Sequence, residues 1–176
     1  MERHFTVSGF VVEGDRTLLH WHRKLELWLP PGGHVEPDED PVQAVTREVL
    51  EETGFFADIV TPTQPLPFAN IQQLPIPLAI IVADVAEGPH QHIDMSYALR
   101  PRAAFPRIAP EADHGFIWVT RDQLLENEPV TLAAGSVEFA PSDDVRVLAL
   151  VAIDLIAASM SQLQTTATND ERQTTN

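Results

Sequence analysis

The 176-residue chain sets 11 basic against 26 acidic residues for a formal net charge of -15, is 44% hydrophobic and contains no cysteine. That length and apolar content fit one globular domain, and without cysteine a disulfide framework, a thiolate metal site and a cysteine nucleophile are excluded. The negative charge would repel polymeric DNA or RNA, while excess carboxylate suits a small anion bound through a divalent cation.

The first predicted elements are two antiparallel strands, "HFTVSGFVV" and "RTLLHWH", joined at Gly14-Asp15, a pair suited to a tight hairpin turn. A loop through Trp28 to Gly33 follows, punctuated by Pro30, Pro31, Gly32 and Gly33. A helix is predicted over about 41 to 53, with Asp40 as N-cap, Pro41 at the first position, Gln43 completing a capping box and Gly54 as the left-handed stop. Thr61 to Pro77 is proline-rich and reads as an ordered loop. "IPLAIIVADV", "HIDMSYAL" and "GFIWV" read as strands of a mixed sheet, the first apolar enough to be buried on both faces. Thr120 and Gln123 form a second capping box before a short helix, and Ser142 opens a longer apolar helix expected to pack on the sheet. The single domain is placed at residues 1–160, and the polar stretch 161–176 is expected to be a disordered tail. No apolar run reaches the ~18 to 20 residues that span a bilayer. "MERHFTVSGF" also lacks a signal-peptide pattern, so a soluble, cytoplasmic protein without a membrane partner is expected.

Seven carboxylates stand between Gly33 and Phe55. On a helix, Glu48, Glu51 and Glu52 fall within an arc of about 100 degrees, beside an apolar arc of Val42, Val45 and Val49 that would anchor on the sheet. Like charges at these spacings destabilise a helix by a few tenths of a kcal/mol per pair. Spacing alone leaves two explanations open: a solvated acidic face relieved by Arg47, or a site for hard cations such as Mg²⁺, which take oxygen ligands and usually bind through one or two carboxylates plus substrate phosphate.

Gly33, five residues, Glu39, seven residues and then "REVLEETGF" from Arg47 to Phe55 together resemble the signature of the Nudix hydrolases, with all seven fixed letters in place and an aromatic Phe55 where the family usually has an aliphatic residue. "LWLPPGGHVE" before it, and "HIDMSYAL" and "EADHGFIWVTRDQL" after it, extend the resemblance across most of residues 3 to 126. The resemblance implies an α/β class fold, an α/β/α sandwich around a mixed β-sheet. It also implies Mg²⁺- or Mn²⁺-dependent hydrolysis of a small-molecule nucleotide, a nucleoside diphosphate linked to another group. By position, Glu51 and Glu52 would be the principal metal ligands and Glu48 a further ligand or the water-activating base. A carbonyl of Gly32 or Gly33 would complete the metal site, and Arg47 and Glu39 would brace the glutamates.

Glu111 is the first candidate for a carboxylate recruited from outside the signature, and Asp94 the second, although a strand residue of that type can simply point outward. His90 and His92 alternate on one strand face and could meet phosphate or metal, or be ordinary strand polar positions. Trp21, Trp28, Phe68 and Tyr97 could stack on a base or simply pack. "TQPLPFAN" partly resembles the motif of NADH-acting members, but Leu66 and Ala69 depart from it. The tyrosine of dinucleoside polyphosphate hydrolases and the proline of ADP-ribose hydrolases are absent at residues 70–73. A nucleoside di- or triphosphate, hydrolysed to a monophosphate, is therefore the expected substrate. The rivals are a non-catalytic nucleotide-sensing module, disfavoured by the intact glutamates, and diphosphate isomerase chemistry, disfavoured by the missing cysteine. The resemblance admits a homodimer without identifying its interface.

Overall fold

The computed structural model describes residues 1–85, 88–110, 115–131 and 138–173. In chain order the elements are β1 (Glu2–Glu13), β2 (Arg16–His22), β3 (Leu27–Leu29), β4 (Gly32–His34), α1 (Pro41–Thr53), β5 (Ala57–Val60), β6 (Ala79–Asp84), β7 (His90–Pro101), β8 (Ile117–Thr120), α2 (Arg121–Leu125), β9 (Val130–Thr131), β10 (Glu138–Phe139) and α3 (Asp143–Gln173). The β1–β2 hairpin closes at the expected place, with Glu13 opposite Arg16 and Gly14 at φ 64. That left-handed conformation is one glycine adopts without strain.

β1 organises the molecule. Along one edge it runs parallel to β7, from Glu2 opposite His90 to Val11 opposite Leu99. Along the other edge it takes β4 at Thr6 to Ser8 and β2 at Val12 and Glu13, both antiparallel. β5 and β6 add antiparallel to β7, and β3 and β8 flank β2, so the sheet is mixed, as expected. Strand alternation then gives each face its own core. Val7, Val11, Tyr97 and Leu99 meet Ala44, Val45 and Val49 of α1. Phe10, Val12 and Ala98 meet Val145, Ala149, Ala152, Ile153 and Ile156 of α3 on the opposite side. Each such valine, leucine or isoleucine contributes roughly 1.5–3 kcal/mol by leaving water. Gly9 lets α1 settle closely on β1, for a Cβ there would stand 2.7 Å from Cγ2 of Val49.

α1 has the predicted bounds and ends. The Asp40 side chain accepts from the backbone N–H groups of Val42 and Gln43, the Gln43 side chain returns to the Asp40 N–H, and Gly54 stops the helix at φ 73. The second capping box forms as well, with Thr120 and Gln123 at the start of α2.

Two expectations give way. β6 is not buried on both faces: it pairs with β7, and Ile80 and Val82 stand 64% and 59% exposed because no described helix covers them. The Gly32-Gly33 stretch is not loop but the short strand β4, and a Cβ at Gly32 would strike the Val7 carbonyl oxygen, so only glycine lets β4 lie this close to β1. The backbone of α3 continues through Gln173.

Candidate active site

The glutamates of α1 are placed by the same packing that buries its valines. With Val45 and Val49 turned into the core, Glu48 and Glu52 are carried toward β4, and Glu51 stands further out at the helix surface. The Glu48 carboxylate lies so close over Gly33 that a Cβ there would collide with it. Gly32 donates its backbone N–H to Oε2 of Glu52 at 3.1 Å. β4 and α1 thus form one unit, and the two glycines are what permit the approach.

Arg47 spreads its guanidinium across this unit. Nε and Nη2 hold the two oxygens of Glu39 at 3.1 and 2.6 Å, Nη1 donates to Glu48 at 2.8 Å and to Glu51 at 3.2 Å, and Nη2 also reaches the carbonyl of His34. The planar fork is what a bidentate carboxylate contact requires. The Arg47 contact holds the Glu39 carboxyl below its usual range, and Glu39 in turn raises the pKa of Arg47. Glu52 goes the other way. Burial pushes its carboxyl up to about 7, against the pull of the Gly32 N–H, and the like charges of Glu48 and Glu51 add to the rise.

These donors are all carboxylate oxygens, those of Glu48, Glu51 and Glu52. That is the set for Mg²⁺ or Mn²⁺, and a cation bound there would oppose the burial and the Glu48 and Glu51 charges that raise Glu52. The three glutamates do not bring one oxygen each within 4.8 Å of one another. Arg47 draws on Glu48 and Glu51, and a hard cation that keeps several waters does not need touching carboxylates. The donor set therefore fits the ion.

On the α3 face, β1 and β7 frame a cavity of about 350 Å³ whose lining includes Thr6, Ser8, Phe10, Asp94, Ser96 and Asp144. Asp94 does not point outward as a strand acid can: it is 9% exposed and accepts from the hydroxyls of Thr6 (3.0 Å), Ser8 (3.0 Å) and Ser96 (2.8 Å). Sequence reasoning missed this network because Thr6 and Ser8 stand 88 and 86 residues from Asp94, and only the parallel pairing of Thr6 with Asp94 and Ser8 with Ser96 assembles it. The cavity and the glutamates adjoin through β4, since Ser8 lines the cavity and pairs with Gly32, which holds Glu52. A second cavity, of about 520 Å³, runs outside α1 past Arg47, Glu51 and Arg102, but both arginines there are already paired with carboxylates.

Of the other candidates, Glu111 lies outside the described residues. Trp28 and Tyr97 are core residues, Trp21 stacks on Phe139 at 5.1 Å, and Phe68 is exposed. Glu36 and Asp38 stand in solvent. His90 and His92 are gathered with His4 and His34 on the cavity side of β1 and β7, apart from the glutamates. Among the described residues, no helix is long and apolar enough to cross a membrane.

Comparison with known proteins bears on the family and the fold. A Clostridium perfringens hydrolase of the NUDIX family matches at a TM-score of 0.68 with 29% identity, over 89% of this chain and 99% of that one. A Lactococcus lactis subsp. cremoris (strain MG1363) protein named as a probable DHNTP pyrophosphohydrolase is 33% identical over 94 residues, 53% of this chain and 52% of that protein. A Bos taurus protein named m7GpppN-mRNA hydrolase NUDT17 is 61% identical over 55 residues, 28% of this chain and 18% of its own length. The chain thus spans about half or less of the curated relatives it matches. The NUDIX domain profile matches residues 2–141, and with that extent of agreement the chain belongs to the NUDIX domain family, that of the Nudix hydrolases.

Proposed function

We propose that this protein hydrolyses the diphosphate linkage of a nucleoside di- or triphosphate in a Mg²⁺- or Mn²⁺-dependent reaction and releases a nucleoside monophosphate. The observation that carries the reading is the placing of two glutamates against β4, Glu48 over Gly33 and Glu52 on the Gly32 N–H, with Glu51 beside them on the helix surface and tied to Glu48 through Arg47. A bound divalent ion would neutralise phosphate charge and lower the pKa of water. The glutamates hold the ion, Arg47 sets the direction of Glu48 and Glu51, and Glu39 fixes Arg47. Hydrolysis of a diphosphate needs positioning and charge neutralisation rather than covalent help from protein, which suits a site without a side-chain nucleophile.

The adjoining cavity fits the base. Phe10, Leu27, Leu29 and Leu148 give it apolar walls, while the hydroxyls of Thr6, Ser8 and Ser96 all donate to Asp94 and so present lone pairs to the interior. A floor of acceptors favours a heterocycle whose edge carries N–H donors. Assay of the purified chain on nucleoside triphosphates, nucleotide sugars, ADP-ribose, NADH and dinucleoside polyphosphates with Mg²⁺ and with Mn²⁺ tests the proposal. We expect monophosphate release from at least one nucleoside triphosphate, abolished by EDTA and reduced at least about 100-fold in Glu52→Gln. Full activity in Glu51→Gln/Glu52→Gln would refute it. Tight nucleotide binding without turnover would favour the sensing module instead.

A further inference from the structure

We propose that His4, His90 and His92 bind a borderline transition-metal cation, with Zn²⁺ as the reference ion, at a site separate from the glutamates of α1. The three come from two strands that the chain brings together only on folding: His4 of β1 stands opposite His92 of β7, and Glu2 opposite His90. Positions 90 and 92 share a face, as alternate residues of a strand do. One possible ligand atom from each imidazole lies within 4.8 Å of the others, and among the described residues no other set of three histidines or carboxylates is gathered this closely. Ring centroids are 5.1 Å apart for His4 and His90, 5.4 Å for His90 and His92 and 6.0 Å for His4 and His92.

A second observation points to a ligand. Nε2 of His92 is buried and has no hydrogen-bond partner. An orphaned buried nitrogen costs free energy and calls for an occupant. Zn–N bonds of about 2.0–2.1 Å in a tetrahedron set nitrogens roughly 3.3 Å apart, so the present spacing must close by at most about 1.5 Å, which side-chain rotation of half-buried histidines can supply. His34, its ring 5.0 Å from His92 and 5.4 Å from His4, is placed to give the fourth ligand. Glu2 Oε1 lies 3.2 Å from Nε2 of His4, a carboxylate of the kind that orients metal-bound imidazoles. Nitrogen donors select Zn²⁺, Ni²⁺ or Co²⁺ where the α1 carboxylates select Mg²⁺ or Mn²⁺, so one chain would hold two classes of ion. His34 directly follows Gly33, and an ion shared by His4, His34 and His92 would tie β4 to β1 and, across β1, to β7, bracing the strand that holds Glu52.

The test uses the full chain, freed of metal, with ZnCl2 followed by calorimetric titration and thermal melting and CoCl2 followed by visible absorption. We expect saturable 1:1 Zn²⁺ binding, a rise in Tm of about 5–10 °C at about 100 times Kd, and the intense d–d bands of tetrahedral Co²⁺. Affinity should fall at least about 10-fold in His92→Asn and in His90→Gln, while Glu51→Gln/Glu52→Gln keeps the Zn²⁺ response and loses that to Mg²⁺. Should His92→Asn not fold, His90→Gln at the start of β7 carries the comparison. Zn²⁺ affinity unchanged in the histidine variants, or lost only in the double glutamine variant, overturns the proposal, as does the absence of both saturable Zn²⁺ binding and tetrahedral Co²⁺ bands. None of these readouts depends on hydrolysis, so this site and the hydrolase reading fail independently.

Discussion

Glu52 is where the chemistry of single residues is most exposed to experiment. Its folded pKa of about 7 lies above the ordinary 4.5, so between those values the folded state binds more protons than the unfolded one. Stability contributed by the neutral acid is present at low pH and lost as pH rises from 4.5 through 7. Without divalent cations, wild-type Tm should therefore decline between pH 5 and pH 8 relative to Glu52→Gln, which keeps an acceptor for the Gly32 N–H. The difference at pH 8 should be about 2–4 °C, the shift that about 1 kcal/mol gives a domain of this size. Parallel profiles for the two proteins would refute the assignment. His92, whose pKa burial lowers, titrates in the opposite sense, and comparing two proteins that both contain it cancels its contribution. Added Mg²⁺ competes with the proton on Glu52, so its stabilisation should be greater at pH 8 than at pH 5.

Between elements, the informative junction is β4 against α1 and β1, where two adjacent glycines face different obstacles. A Cβ at Gly32 meets the backbone oxygen of Val7, which cannot move without breaking the β1–β4 pairing; a Cβ at Gly33 meets the carboxylate of Glu48, the free end of a side chain. Gly32→Ala should cost about 1–3 kcal/mol in chemical denaturation. Gly33→Ala should melt within about 1 kcal/mol of wild type yet require a higher Mg²⁺ concentration for half-maximal activity, because Glu48 is displaced. Equal loss of stability in both variants would contradict this division. The same contrast explains what the sequence made legible. α1 could be read residue by residue because its caps, Asp40 with Gln43 and Gly54, act within a few positions, and the signature residues Glu39, Arg47, Glu48, Glu51 and Glu52 lie on it and the loop before it. β4 could not, since its strand character depends on contact with Val7, far back in the chain. The exposure of β6 escaped for a related reason: apolar content reports what a strand could bury, not whether a helix arrives to cover it. The Asp94 network and the histidine cluster both required the β1–β7 register, which no local pattern specifies.

Across the whole molecule, a net charge of -15 sets the response to ions. Monovalent salt screens such a field generally, whereas a cation held by Glu48, Glu51 and Glu52 binds the folded state alone and stabilises it by mass action. Mg²⁺ should accordingly raise Tm more than NaCl of equal ionic strength, and Glu51→Gln/Glu52→Gln should remove the excess while leaving the NaCl response intact. Equal shifts from the two salts would count against the site. The long parallel ladder has a consequence in time as well. Along one edge residues 2–11 find their partners at 90–99, so β1 leaves the ribosome long before β7 and waits with that edge unpaired until about eighty more residues have followed it. Closing a loop of that size precedes the pairing that rewards it, which makes this junction a natural rate-limiting event of folding. α1, capped from within and complete long before β7 is synthesised, would form early and have no finished surface on which to dock.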